Sequence, residues 1–271
     1  MNFFYRSLAH AAGLQEADAG QTIKVNVDLA IAHDGTCPKL LKQWESDDKV
    51  FDGRRVMVTV DHAFPAPSTT DRQFQRELAE FATEQGIALY NHGEGVLHQV
   101  VAEKAALWPG MIIAGADGHV ATSGAYGALA FALAPEGLHP VLTSGKLELK
   151  VPEVITFDLV GDLKAGTMPR DIALYLLGNF HAQIKGKAVA LQGEFLAHLS
   201  PAGKMTICNI LPEGGAVTAF FVPAGDEDES IDHIIDVDGI EPMVALPPEP
   251  TSVKPVRELA GTPITVAIVG G

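Results

Sequence analysis

Short β-branched apolar runs recur along this chain, and several break off at a histidine or a carboxylate. Ile23–Ala32 runs into His33-Asp34, Arg55–Val60 into Asp61-His62, and Met111–Ala114 into Gly115-Ala116-Asp117-Gly118-His119. Runs this short suit buried strands better than helices. Between them Asp71–Gln85 carries a helical period, with Phe74, Leu78 and Phe81 on one face and Gly86 as its stop. Phe3–Ala11, Pro38–Trp44, Ala125–Leu133 and Arg170–Leu177 also read as helices. Ile87–Tyr90, Lys146–Lys150, Val154–Val160, Lys187–Leu191 and Ile264–Val269 read as strands, the last running into Gly270-Gly271. Strands alternating with helices predict α/β layers with a largely parallel sheet. Ligands of such sheets bind outside the carboxyl ends of the strands, where these polar residues fall.

The pattern changes twice along the chain, predicting an α/β domain over 1–183 and a smaller α/β domain over 184–240. Residues 241–271 follow as a proline-rich connector, Pro242–Pro255, and the first strand of a third domain. The 271 residues suffice for one large core or two ordinary ones. A formal charge of −15 argues against nucleic-acid and anionic-membrane partners. No apolar run is long enough to span a bilayer, and no signal peptide is evident. Two cysteines, Cys37 and Cys208, form no disulfide framework and suit a reducing, cytoplasmic setting. The acidic run Asp226–Ser230 reads as a solvated face.

His62, His98 and His119 each lie near a strand end with carboxylates close in sequence. A lone histidine of this kind is commonly structural, satisfied by whatever partner burial supplies. Three with carboxylates suit general acid–base chemistry or metal ligation as well, since a carboxylate fixes the imidazole tautomer and raises its basicity. No HExxH or CxxC is present. The glycines of GADGHVATSG do not form a dinucleotide fingerprint, and there is no P-loop.

Taken in order, VNVDLAIAHDGT, VTVDHAFPA, GVLHQVV, LWPGMIIAGADGHVATSGAYGALAFAL, TSGKLELKVPEVITFDLVGDL, PRDIALYLLG and GKMTICNILPEGGA resemble the aconitase superfamily, and within it the large subunits of isopropylmalate dehydratase and homoaconitase. The likeness runs from about Ala11 to Gly271. It implies a layered α/β/α fold with mostly parallel sheets, the N-terminal part of a three-domain core. It also implies an iron–sulfur hydro-lyase of the EC 4.2.1 class, acting on a small anionic hydroxy acid through three histidine–carboxylate pairs. Asp61 and His62 match the pair that protonates the departing hydroxyl, His98 and Asp117 the second, and His119 and Glu213 the third. Asn209 matches a cluster-proximal, substrate-contacting asparagine, while His33 and Gly118 occupy substrate-contact positions. Where the family reads Asp-Ser-His-Thr, this chain has Asp117-Gly118-His119-Val120, two hydroxyls fewer.

The resemblance implies that the ligands of a 4Fe-4S cluster follow the strand Ile264–Val269, beyond Gly270-Gly271, so none is expected within this sequence. A partner chain or C-terminal region would supply them, and a small swivel-domain subunit would supply a serine base. The chain alone is therefore expected to be inactive, as a split subunit or a truncation. An aconitase-like module that binds a small acid or a protein without catalysis is the alternative, suggested by Gly118 and Val120. A mononuclear metal hydrolase using His62, His98 and His119 is a third reading.

Overall fold

The computed structural model describes residues 2–228 and 230–268. Its elements in chain order are α1 (Phe3–Ala12), β1 (Thr22–Asn26), β2 (Leu29–His33), α2 (Cys37–Leu41), β3 (Val56–Thr59), α3 (Thr69–Gln85), β4 (Ala88–Tyr90), α4 (Leu97–Lys104), β5 (Ile112–Gly115), β6 (Leu129–Ala132), α5 (Pro135–Ser144) and β7 (Lys146–Lys150). They continue with β8 (Val154–Val160), α6 (Pro169–Ile184), β9 (Ala188–Gln192), α7 (Pro201–Ile210), β10 (Thr218–Phe221), β11 (His233–Asp236), β12 (Met243–Ala245) and β13 (Val253–Pro255). The mostly parallel α/β architecture is the one the alternation predicts.

The first sheet has the order β4-β3-β2-β5-β6, and all its pairings are parallel. From β2 the chain winds outward through β3 and β4, then returns to β5 on the other side. The carboxyl ends of β2 and β5 thus flank the point where the winding reverses, the usual ligand crevice of an open α/β sheet. Both β2 and β5 are buried along their whole length, which is why they read as continuous apolar runs. A second parallel sheet has the order β10-β9-β8-β11. Its Leu159, Leu191 and Phe221 share a core with Ile172 and Leu176 of α6 and Ile207 of α7. The expected boundary at residue 184 falls at the end of α6, within this second layer.

Several sequence readings change in detail. Ile23–Ala32 is two strands: β1 pairs antiparallel with β7, and the chain re-enters the first sheet as β2 after Val27-Asp28. Asp28 enforces the break, its carboxylate accepting from Ile112 N–H at 2.9 Å and pairing with Arg55. Ala125–Leu133 is not a helix. A 3-10 helix covers Val120–Tyr126, and Leu129–Ala132 is strand β6. Small residues mislead here because they serve close approach rather than helix propensity: a Cβ on Gly124 would lie 1.8 Å from the Ala219 carbonyl oxygen of β10. The proline-rich connector contains an antiparallel pair, β12 with β13.

The expected last strand is also absent as such. Ile264, Val266 and Ile268 are 80%, 74% and 89% exposed and pair with no strand among the described residues, so the ladder that would make an apolar run a strand is not formed. Val269, Gly270 and Gly271 lie outside the described residues, as does Glu229 of the acidic run. No helix among the described residues is long and apolar enough to cross a membrane.

Candidate active site

The polar residues at the strand ends meet because the parallel sheet delivers them to one edge. His33 is the last residue of β2, Asp61-His62 follow β3, and Asp117-Gly118-His119 follow β5. His98 sits in the first turn of α4. Asn209 lies in α7, and Glu213 in the 3-10 turn after it. A cleft of about 800 Å³ opens between these segments. Asp61, His62, His98, Asp117, His119 and Asn209 line it; His33, Gly118 and Glu213 do not.

Each cleft histidine is held by a carboxylate. His62 Nδ1 is 2.9 Å from Asp61 Oδ1, His98 Nε2 is 2.9 Å from Asp117 Oδ1, and His119 Nε2 is 3.0 Å from Glu213 Oε1. Asp61 also accepts from the Leu97 N–H at 2.6 Å and from Thr59 Oγ1 at 3.1 Å, which ties the pair to the start of α4. Burial works to raise the Asp61 carboxyl. The His62 imidazole and the Leu97 N–H outweigh it and leave the carboxyl below its ordinary value. An ionised Asp61 accepts the Nδ1–H, so His62 Nε2 is the nitrogen left for other partners.

Asp117 is the hub. Besides His98 it accepts from the His119 N–H at 2.6 Å, and His33 Nε2 approaches its Oδ2 to 3.4 Å without hydrogen-bond geometry. Burial again pushes its carboxyl up, but His33, His98 and the His119 N–H hold it well below the usual carboxylate range. With the folded-state value below an ordinary value of about 3.9, the carboxylate stabilises the fold above that value. The contribution is lost as pH falls from about 4 through the folded-state value. Urea unfolding followed across pH 2–7 should therefore lose a component below roughly pH 4 that is missing in Asp117→Asn.

His33 sits behind the cleft rather than in it. It is 3% exposed, its Nδ1 accepts from Gly35 N–H at 3.1 Å, and its ring stacks on His62 with centroids 3.5 Å apart. Gly118 borders a smaller neighbouring cavity of about 240 Å³ beside Thr36 and Leu133. Nothing lies within 4 Å of a Cβ built on it, so Gly118→Ser should fold with stability unchanged to within about 0.5 kcal/mol by urea denaturation. Val120 is fully buried in the core beneath the first sheet with Ile31 and Ile113. The valine is therefore a packing residue, and no hydroxyl is missing from the cleft at that position.

Sequence reasoning missed three contributors. Asp34 accepts from Asp61, His62 and Ala63 N–H and from Gln75 Nε2. Thr122 joins the site's two layers, donating to the His119 carbonyl at 2.6 Å and accepting from Asn209 Nδ2 at 2.9 Å. Arg170, in the first turn of α6, lines the cleft. Asp34 was visible as His33-Asp34, but a polar loop and a buried clamp look alike in sequence. Arg170 had no local signal.

Among the described residues, two groups in and behind the cleft could ligate a metal on distance alone: His33, Asp34, Asp61 and His62, and His98, Asp117 and His119. An iron–sulfur cluster fits neither cysteine. Cys37 and Cys208 are buried in separate cores. Burial pushes the Cys37 thiol up to about 12 and raises that of Cys208 as well, whereas cluster ligation needs thiolates.

The family model for the aconitase family (aconitate hydratase) matches residues 7–233. A probable methanogen homoaconitase large subunit from Methanothermobacter thermautotrophicus is 33% identical, over all of this chain and 70% of that protein. A 3-isopropylmalate dehydratase large subunit from Methanopyrus kandleri is 33% identical over 97% of this chain and 69% of its own length. Another, from Moorella thermoacetica, is 31% identical over all of this chain and 70% of its own length. With the family model covering most of the chain and these relatives aligned across it, the chain belongs to the aconitase family.

Proposed function

We propose that this chain supplies the histidine–carboxylate half of a hydro-lyase large subunit acting on a small hydroxy di- or tricarboxylic acid such as isopropylmalate. The observation that carries the reading is the convergence of three imidazole–carboxylate hydrogen bonds on one cleft. Removing water from a hydroxy acid breaks a C–O bond, and the leaving hydroxyl needs a proton. His62 is the donor, from Nε2, because Asp61 occupies Nδ1 and stabilises the charged imidazole. His98 and His119 are held by Asp117 and Glu213 in fixed orientations to contact the substrate's polar groups, and Asn209 adds an amide beside them. Removal of the carbon-bound proton falls to a base outside these residues, supplied in this reading by a small swivel-domain subunit.

The family resemblance also implies a 4Fe-4S cluster, which when bound would act as Lewis acid on the substrate hydroxyl and carboxylate. The thiols of this chain do not fit it, so its ligands would come from a partner chain or a C-terminal region. The reading is tested by assembling the chain with such a region and a small subunit, loading iron and sulfide anaerobically, and assaying hydration of alkene diacids. Turnover by the complete assembly, with none from the isolated chain, is the expected result. A cluster-loaded assembly that hydrates no such acid would overturn the reading.

A further inference from the structure

The carboxylates in and beside the cleft load it with negative charge. Asp61 and Asp117 are both held below the ordinary carboxylate range, and Glu213 stands behind His119. The whole chain carries a formal charge of −15. An anionic ligand entering such a cleft meets repulsion unless a cation offsets it. Among the lining residues the one permanently charged cation is Arg170, the second residue of α6. Arg6, Arg54, Arg55 and Arg257 each hold a carboxylate of this chain. Arg170 makes no ion pair among the described residues and is exposed to the cleft. The lining also includes apolar and neutral residues, Ala202, Met205 and Thr206 of α7 and Val96 before α4.

We propose that Arg170 is the carboxylate anchor of the cleft, holding a ligand carboxylate remote from the reacting carbon and thereby selecting di- and tricarboxylates over monoacids. The inference rests on the hydro-lyase reading for the identity of the ligand, though its test does not use turnover. A guanidinium presents a rigid fork that matches a carboxylate with two parallel hydrogen bonds. An unpaired one at the cleft wall loses no internal partner on binding. One anchored carboxylate fixes a small acid at one end, and its hydroxyl-bearing carbon is left for His62 and His98. A monoacid can satisfy either Arg170 or the histidine end, and so loses orientation.

The experiment is calorimetric titration of the full chain with propane-1,2,3-tricarboxylate at low ionic strength, beside Arg170→Gln, Arg170→Lys and the surface control Lys24→Gln. Arg170→Gln should weaken binding at least tenfold and flatten its salt dependence, while Arg170→Lys retains part of the affinity and Lys24→Gln retains all of it. Arg170 is exposed and unpaired, so circular dichroism should show each variant folded. Equal binding by the wild type and Arg170→Gln overturns the proposal, as does loss of binding in Lys24→Gln or no binding by the wild type. The hydro-lyase reading fails by a different result, absence of turnover in the cluster-loaded assembly, and can fail while the Arg170 dependence persists.

Discussion

Substituting His62 by alanine should lower turnover of the complete, cluster-loaded assembly by about 10²–10⁴-fold, the range for removing a positioned general acid. The side chain is half exposed to the cleft, and its one hydrogen bond among the described residues is from Nδ1 to Asp61. Truncation uncovers the buried His33 ring stacked on it but removes nothing from the hydrophobic core, so urea unfolding of the isolated chain should lose no more than about 1 kcal/mol. Asp61→Asn separates orientation from proton supply. An amide oxygen can still accept the Nδ1–H, but it carries no charge to stabilise an imidazolium. The expected result is a smaller fall in kcat than for His62→Ala, with KM changed little, because the interaction strengthens only as the proton is transferred. Full activity in His62→Ala would remove this residue from the chemistry and shift the acid to His98 or His119.

What could be read in advance was set by period and residue type. β2, β3 and β5 announced themselves because strands buried on both faces are continuously apolar. The pairings of Asp61 with His62, His98 with Asp117 and His119 with Glu213 were legible through the family resemblance, although His98 sits in a helix and Glu213 in a 3-10 turn rather than at strand ends. The same resemblance could not show where a side chain points. His33 and Gly118 stand at the right strand ends, yet one is stacked beneath His62 and the other opens on the neighbouring cavity. Val120 looked like a lost hydroxyl and is a core residue. The segment Ala125–Leu133 failed for a different reason. Its start is set by the Ala219 carbonyl oxygen pressed against Gly124, the residue just before it, a tertiary contact across 95 positions of sequence (219 − 124) that no local propensity encodes.

Asp34 carries the largest expected effect on stability. Its buried carboxylate, 3% exposed, accepts from the Asp61 N–H at 3.2 Å and the His62 N–H at 2.9 Å through Oδ1, and from the Ala63 N–H at 3.0 Å through Oδ2. Gln75 Nε2 reaches Oδ2 at 3.3 Å while also donating to the Ala63 carbonyl at 2.8 Å, so α3 closes the clamp from behind. One side chain at the end of β2 thus fixes the backbone of the loop after β3. Asp34→Ala leaves three backbone donors and an amide without that acceptor. At about 1–3 kcal/mol for each buried group left unsatisfied, and with some relief from water entering the space, a loss of roughly 3–5 kcal/mol is expected in urea denaturation. Asp34→Asn keeps the shape but turns an NH₂ toward either a backbone N–H or Gln75, so it should fall between the two. The carboxylate acts on the loop's backbone rather than on any ligand. Asp34→Asn should therefore lower kcat in the assembly by releasing Asp61 and His62 from register, while Arg170-dependent tricarboxylate binding survives. A variant that unfolds no more readily than wild type would mean that the loop holds its shape without the clamp, with Thr59 and Leu97 on Asp61 sufficient to place His62.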